Sequence, residues 1–167
     1  MAEHNDNRLR EGYERLLERM KEGADELTWE NLQKDLDEAV EFESELEEFT
    51  KDELSLLRAW VERDLKDMRY FMADTGKHVA NWLGIDVSNV SRRVAESLLS
   101  IADRSIVERE RFDDDLEAAR ADYFEGEMAA PGKMACVHCD APVVLESVAR
   151  IEPCHQCGHR YFYRVND

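Results

Sequence analysis

Proline is absent from the first 130 residues of this chain. All three prolines, Pro131, Pro142 and Pro153, lie beyond that point. Glycine is also scarce, at seven residues. A proline inside a helix costs about 3 kcal/mol and a glycine about 1 kcal/mol relative to alanine, so a stretch without them is free to run as long helices. No segment approaches the ~18 uncharged apolar residues that a membrane span needs. The opening "MAEHNDNRLREGYERLLERM" lacks the basic start and apolar core of a secretory signal. The expectation is therefore a cytoplasmic protein with no membrane contact. Gly-rich phosphate loops, a Ser-His-Asp set and H-E-x-x-H are all missing, and nothing points to an enzyme.

What the chain has in excess is negative charge. Its formal net charge is -17, with 39 Asp and Glu against 22 Lys and Arg. Such a surface repels a phosphate backbone, which argues against a general nucleic-acid binder. The charge is uneven. Residues 1–125 hold 34 acidic and 18 basic residues, while residues 126–167 hold 5 and 4. A basic partner surface and a salt-adapted source are two explanations of the acidic part, and Arg outnumbering Lys (16 to 6) fits the second.

Periodicity divides residues 1–125 into four helices. The first, from about Asn7 to Glu22, places Leu9, Tyr13, Leu16 and Met20 on one face and stops at Gly23. The second begins at Thr28 and directs Leu32, Leu36, Ala39, Phe42, Leu46 and Phe49 inward, with "EFESELEE" giving an acidic outer face. A capping box, Thr50-Lys51-Asp52-Glu53, starts the third. Its seam of Leu54, Leu57, Val61, Leu65, Met68, Met72, Thr75, Val79 and Trp82 is weakened at Gly76. The fourth runs from about Ser88 to Phe124, with Val90, Val94, Leu98, Ile101, Phe112, Leu116, Ala119 and Tyr123 inward. The last two are expected to pair as an antiparallel hairpin about 45 Å long. The Asp113-Asp114-Asp115 row points several ways around a helix and reads as a solvated face.

All four cysteines lie in "CVHCDAPVVLESVARIEPCHQC", as two C-x-x-C pairs. In a reducing compartment this pattern indicates metal rather than disulfides. Cys136, Cys139, Cys154 and Cys157 are the expected ligands of one structural Zn2+, since four thiolates close a tetrahedral shell and leave no open position for catalysis. Gly158 stands where the second turn needs positive φ, and Asp140 fills the same place in the first. His138, His155 and His159 read as surface or supporting groups. "PVVLESV" and "RYFYRV" have strand character, which gives the order of a zinc ribbon. About 40 residues bury too little for independent stability, so the metal is expected to supply much of the folding energy. A candidate recognition face comprises Arg150, Arg160, Tyr161, Tyr163 and Arg164, with Tyr161 and Tyr163 on one side of a strand and Phe162 on the other.

The motifs "RLREGYERLLERM", "FTKDELSLLRAWVERDLKDM", "AESLLSIADRS" and "GKMACVHCDAPVVLESVARIEPCHQCGHRYFYR" together resemble the small bacterial zinc-ribbon-containing proteins of unknown function typified by YbeL. The cysteine segment is the specific part, while the linker here is shorter and the helices more acidic. The resemblance implies a cytoplasmic helical protein ending in a zinc ribbon, and no activity.

The fold expected is mainly α: an acidic helical hairpin or bundle over residues 1–125, a linker over 126–133 and a four-cysteine zinc ribbon over 134–167. The expected function is a non-enzymatic protein-interaction or regulatory adaptor. Its contacts are the ribbon and the hairpin tip near Gly84 to Asn89, its partner is an unknown protein, and its oligomeric state is open. The alternatives are a nucleic-acid- or ribosome-associated protein using the aromatic-basic face, and a zinc-thiolate redox sensor.

Overall fold

A computed structural model describes residues 2–21, 29–75, 78–84, 87–104 and 123–165. Five helices precede the strands among these residues: α1 (Ala2–Lys21), α2 (Trp29–Glu45), α3 (Lys51–Thr75), α4 (Val79–Leu83) and α5 (Arg92–Arg104). A 3₁₀ turn, Val87–Asn89, lies between α4 and α5. None of the described helices is long and apolar enough to cross a membrane.

The apolar periodicity builds one core. Leu9, Tyr13, Leu16 and Met20 of α1 are buried, as are Leu32, Leu36 and Ala39 of α2. Leu54, Leu57, Val61, Leu65 and Met68 of α3 join them, with Val94, Leu98 and Ile101 of α5. The capping box forms as its sequence indicates. The Thr50 amide donates to Glu53 Oε1 at 3.0 Å and the Glu53 amide donates to Thr50 Oγ1 at 3.1 Å. The Thr50 amide and the Arg8 guanidinium together hold the Glu53 carboxyl below its usual range. Thr50→Ala should cost about 1 kcal/mol, read as a lower denaturant midpoint at unchanged m-value.

The expected hairpin of two long helices is not confirmed among the described residues. Among the described residues α1 is the hub, packed on α5, α3 and α2, and α5 has α1 as its principal partner. The third helix also ends sooner, at Thr75, with His78 preceding a separate α4 that closes at Gly84 in the left-handed conformation (φ 67°). Tyr123 and Phe124 do not end a fourth helix. They form β1 and pair with Phe162 and Tyr161, which draws the Tyr123 ring into the interior. Phe112, Asp113, Asp114, Asp115, Leu116 and Ala119 lie outside the described residues.

One turn of α2 is reversed. Phe42 and Leu46, expected inside, are 44% and 46% exposed. Glu43 takes the inward position at 1%, because Arg19 Nε donates to it at 2.9 Å and Arg15 approaches within 3.6 Å. The strong charge pairing to α1 sets the rotation of this turn.

Six short strands follow: β1 (Tyr123–Phe124), β2 (Met128–Ala129), β3 (Gly132–Cys136), β4 (Pro142–Leu145), β5 (Ala149–Arg150) and β6 (Tyr161–Arg164). They make a four-stranded antiparallel sheet in the order β1-β6-β3-β4, and a pair of β2 with β5. The segment 126–133 is therefore not a free linker. Met128 pairs with Arg150, Ala129 with Ala149, and Met128 to Gly132 are buried. The sheet starts at Tyr123, ahead of the expected start of the ribbon at residue 134. Gly132 is required where it stands, since a Cβ there would lie 2.3 Å from Arg164 Nη1 and 3.1 Å from the Leu83 carbonyl.

Candidate metal centre and the buried charge cluster

The two cysteine turns are built alike. In the first, the Asp140 amide donates to the Cys136 carbonyl at 2.9 Å and the Cys136 amide to the Ala141 carbonyl at 3.0 Å. In the second, the Gly158 amide donates to the Cys154 carbonyl at 2.9 Å and the Cys154 amide to the His159 carbonyl at 2.9 Å. Asp140 (φ 60°) and Gly158 (φ 75°) both take the left-handed conformation, the two positions that sequence marks for it. Residues 136 and 162 are paired across β3 and β6, and the Val137 amide reaches the Tyr161 carbonyl at 3.1 Å, so the sheet fixes the two turns against each other.

The result is a cluster of four sulfurs. Cys136 Sγ lies 3.6 Å from Cys157 Sγ, Cys139 Sγ lies 3.5 Å from Cys154 Sγ, and all four fall within 4.8 Å of one another. A tetrahedron of ~2.3 Å Zn–S bonds has edges of about 3.8 Å, which this set can meet with small adjustments. The donors are all soft thiols, the type that selects zinc over hard cations. Amides of Cys157 and Gln156 pull the Cys154 thiol down to about 6, whereas desolvation and the neighbouring thiols raise Cys139 and Cys157, so the clustered sulfurs do not all ionise together without a cation among them. Cys136 and Cys154 are buried, while Cys139 and Cys157 are exposed.

A comparison with protein families matches residues 18–166 to a family described as a zinc-ribbon containing domain. The chain belongs to that family. No curated protein and no solved structure matches it. Family and geometry together support zinc binding at the four cysteines of the ribbon.

The outer side of the ribbon sheet carries the expected aromatic residues. Tyr161 and Tyr163 are 48% and 41% exposed, and Phe162 between them is buried. Phe124 packs beside Tyr161 (ring centroids 4.9 Å), while Val144 and Pro142 extend the same side across β4. His138 and His159 stack at 5.3 Å next to the turns, and neither belongs to the four-sulfur cluster. Tyr163 is held by its hydroxyl, which donates to Asp140 Oδ1 at 2.8 Å.

Two arginines of the expected recognition face are elsewhere. Arg164 points to the inner side, with its side chain 1% exposed, and is corrected from recognition residue to interior cation. Alternation along β6 demands this, because Arg164 shares a side with Phe162. Arg150 is half-buried, its Nε donating to Asp6 Oδ1 at 2.7 Å and its Nη1 to the Gly126 carbonyl. Arg160 alone of the three stays exposed.

Arg164 enters a cluster that sequence spacing does not reveal. Its Nη2 reaches Asp64 Oδ1 at 3.2 Å and the Ala130 carbonyl at 2.9 Å, its Nη1 the Pro131 carbonyl at 3.0 Å, and its Nε the Tyr123 hydroxyl at 2.7 Å. The guanidinium lies over Trp82, 4.2 Å from the ring centroid. The other oxygen of Asp64 accepts from the Tyr13 hydroxyl and from the Ala130 amide at 2.9 Å. Arg63 reaches out from α3 to Glu127 Oε1 at 2.9 Å and the Met128 carbonyl at 2.6 Å. One cluster thus ties α1, α3 and α4 to β1, β6 and the segment around β2.

The two carboxylates in it behave oppositely. Burial alone would raise Asp64, but the Arg63 and Arg164 charges outweigh it and hold the carboxyl below its usual range. At Asp67 burial wins over Arg164 and the carboxyl is raised, although Trp82 Nε1 donates to it at 2.9 Å. A signal for Asp64 exists in the sequence: 57, 61, 64, 68 and 71 form an unbroken three-four spacing on α3, and Asp64 is its one charged member.

Proposed function

We propose that this protein is a non-enzymatic cytoplasmic adaptor whose ribbon, held by one structural zinc ion, docks a partner protein on its outer sheet face. The observation that carries this reading is the contrast between the two sides of one sheet. The inner side buries Phe162 and Met134 in the ribbon's own core and is tied to the helices through Arg164, while the outer side offers Tyr161, Tyr163, Val144 and Pro142 to solvent. Exposed aromatic residues on a rigid sheet are the usual anchors of protein interfaces.

A saturated four-thiolate shell supports a holding role for the metal. The nucleic-acid alternative draws less support. Phosphate contacts need free cations, and the charges of Arg164 and Arg150 are both met internally.

A photo-crosslinking side chain placed at Tyr161 of the zinc-loaded protein tests the proposal in the native cell. Crosslinks to a specific protein are expected, lost when Val144→Asp is added and absent from the same probe at Asn81 on α4. Crosslinks to RNA alone, or equal capture from Asn81, would overturn the reading.

A further inference from the structure

The reversed turn of α2 departs from ordinary amphipathic packing. A carboxylate, Glu43, is buried, and two large apolar side chains, Phe42 on the last turn of α2 and Leu46 just past its end, are left in water. Each choice works against stability when taken alone. Local rules broken together at one spot mark function more often than chance.

The surroundings show what would fit there. The Arg19 guanidinium covers one side of the Phe42 ring at 3.4 Å from its centroid. Beside Leu46 a cavity of about 320 Å³ opens, walled by Arg15, Glu18, Arg19 and Arg93. These three arginines carry no spare charge: Arg15 pairs with Glu11, Glu43 and Glu48, Arg19 with Glu43, and Arg93 with Glu11, Glu14 and Glu18. The cavity is therefore suited to an apolar or aromatic side chain stacked on neutralised guanidinium planes.

The exposed surface of α2 and of the turn after it is acidic and uncompensated. Glu38, Glu41, Glu45 and Glu47 are exposed, and among the described residues none has a cation within ion-pair distance. Several carboxylates elsewhere on the helices do have partners: Asp37 and Glu62 meet Arg58, Glu53 meets Arg8, and Glu96 meets Lys21 and Arg92.

We propose that this face of α2 docks a cationic amphipathic helix of a partner protein. One apolar side chain of that helix enters the cavity beside Leu46 and packs on Phe42. Lysines or arginines one turn to either side meet Glu38, Glu41 and Glu45. The face lies on a different element from the ribbon's outer sheet, so the protein has two docking surfaces and the failure of either leaves the other standing.

The test uses the full zinc-loaded chain and a fluorescent 18-residue helical peptide of leucines and lysines, with binding followed by polarisation at physiological salt. Phe42→Ser with Leu46→Ser, both on the surface and checked by circular dichroism, should weaken binding by about tenfold or more. Glu41→Gln with Glu45→Gln should weaken it and flatten its salt dependence. Leu56→Ser with Leu99→Ser, which removes apolar residues of similar exposure elsewhere, should leave binding within about twofold. Equal loss in the Leu56 and Leu99 variant would show diffuse attraction to an acidic protein and overturn the proposal. So would an unchanged affinity in the Phe42 and Leu46 variant. Self-association of the wild-type chain that disappears with Phe42→Ser and Leu46→Ser would give the face to a second copy, and would equally overturn it.

Discussion

Stripping the metal with a strong chelator is expected to unfold the ribbon and loosen the helices with it. The ribbon's own buried cluster is small, limited to Tyr123, Ala129, Met134, Cys136, Ala141, Ile151, Cys154 and Phe162. A core of that size does not offset the chain entropy of some 40 residues, whereas a structural zinc site contributes on the order of 10 kcal/mol to folding. β6 transmits the loss. Phe162 sits across from Cys136, and two residues on Arg164 lies among Asp64, Tyr123 and Trp82. When β6 leaves, Asp64 loses the Arg164 cation and Trp82 loses the guanidinium above its ring. Tryptophan emission should shift, and the helical melting midpoint should fall by more than about 10 °C, since several kcal/mol are withdrawn from a domain of this size. Cys136→Ser or Cys154→Ser should reproduce the effect without chelator. An unchanged helical transition in the metal-free protein would show that the two parts fold separately.

Asp64→Asn should be the most damaging single exchange in the helices, at about 3–5 kcal/mol. It removes the charge that Arg164 and Arg63 face and turns an amide toward the donors of Tyr13 and Ala130. Asp67→Asn, one turn along, should cost only about 1 kcal/mol, because the amide oxygen can still accept from Trp82 and the charge it removes is one that burial disfavours. Acid titration separates the two. Asp64 is held below its usual range, so its contribution is complete above the unfolded value near ~4 and is lost as pH falls through the lower folded value. Asp67 is raised, so its ionisation subtracts stability as pH rises through the folded value. Denaturant midpoints of the wild type and both variants between neutral pH and strong acid measure this. Equal losses for the two asparagine variants would refute the division of roles.

The four-cysteine cluster is the most legible part of the molecule. Spacing alone picks out Cys136, Cys139, Cys154 and Cys157, and the left-handed residues Asp140 and Gly158 follow from the turn they must make. The helices are legible wherever apolar spacing agrees with burial, as at Leu54 to Met68. Spacing misleads where charge overrides it. Arg15 and Arg19 turn Glu43 inward and leave Phe42 and Leu46 out, a choice that depends on a neighbouring helix and not on α2 itself. Arg164 is hard to place because an arginine in a short aromatic strand looks like surface until its buried counter-charge, 100 residues earlier, is known. The partners of α1 are hidden for a similar reason. Periodicity names the face a helix buries and says nothing about which helix receives it.

The bond between Arg150 and Asp6 spans 144 positions, and that between Arg164 and Asp64 spans 100. A chain closed in this way cannot be finished as it is made. Until the ribosome has released β5, Asp6 of α1 lacks Arg150, and until it has released β6 the carboxylate of Asp64 waits without Arg164. Loop closure over such separations slows folding. Final assembly therefore waits on the strands that are synthesised after the helices. Order of synthesis puts the bolt of the structure in place after the parts it locks.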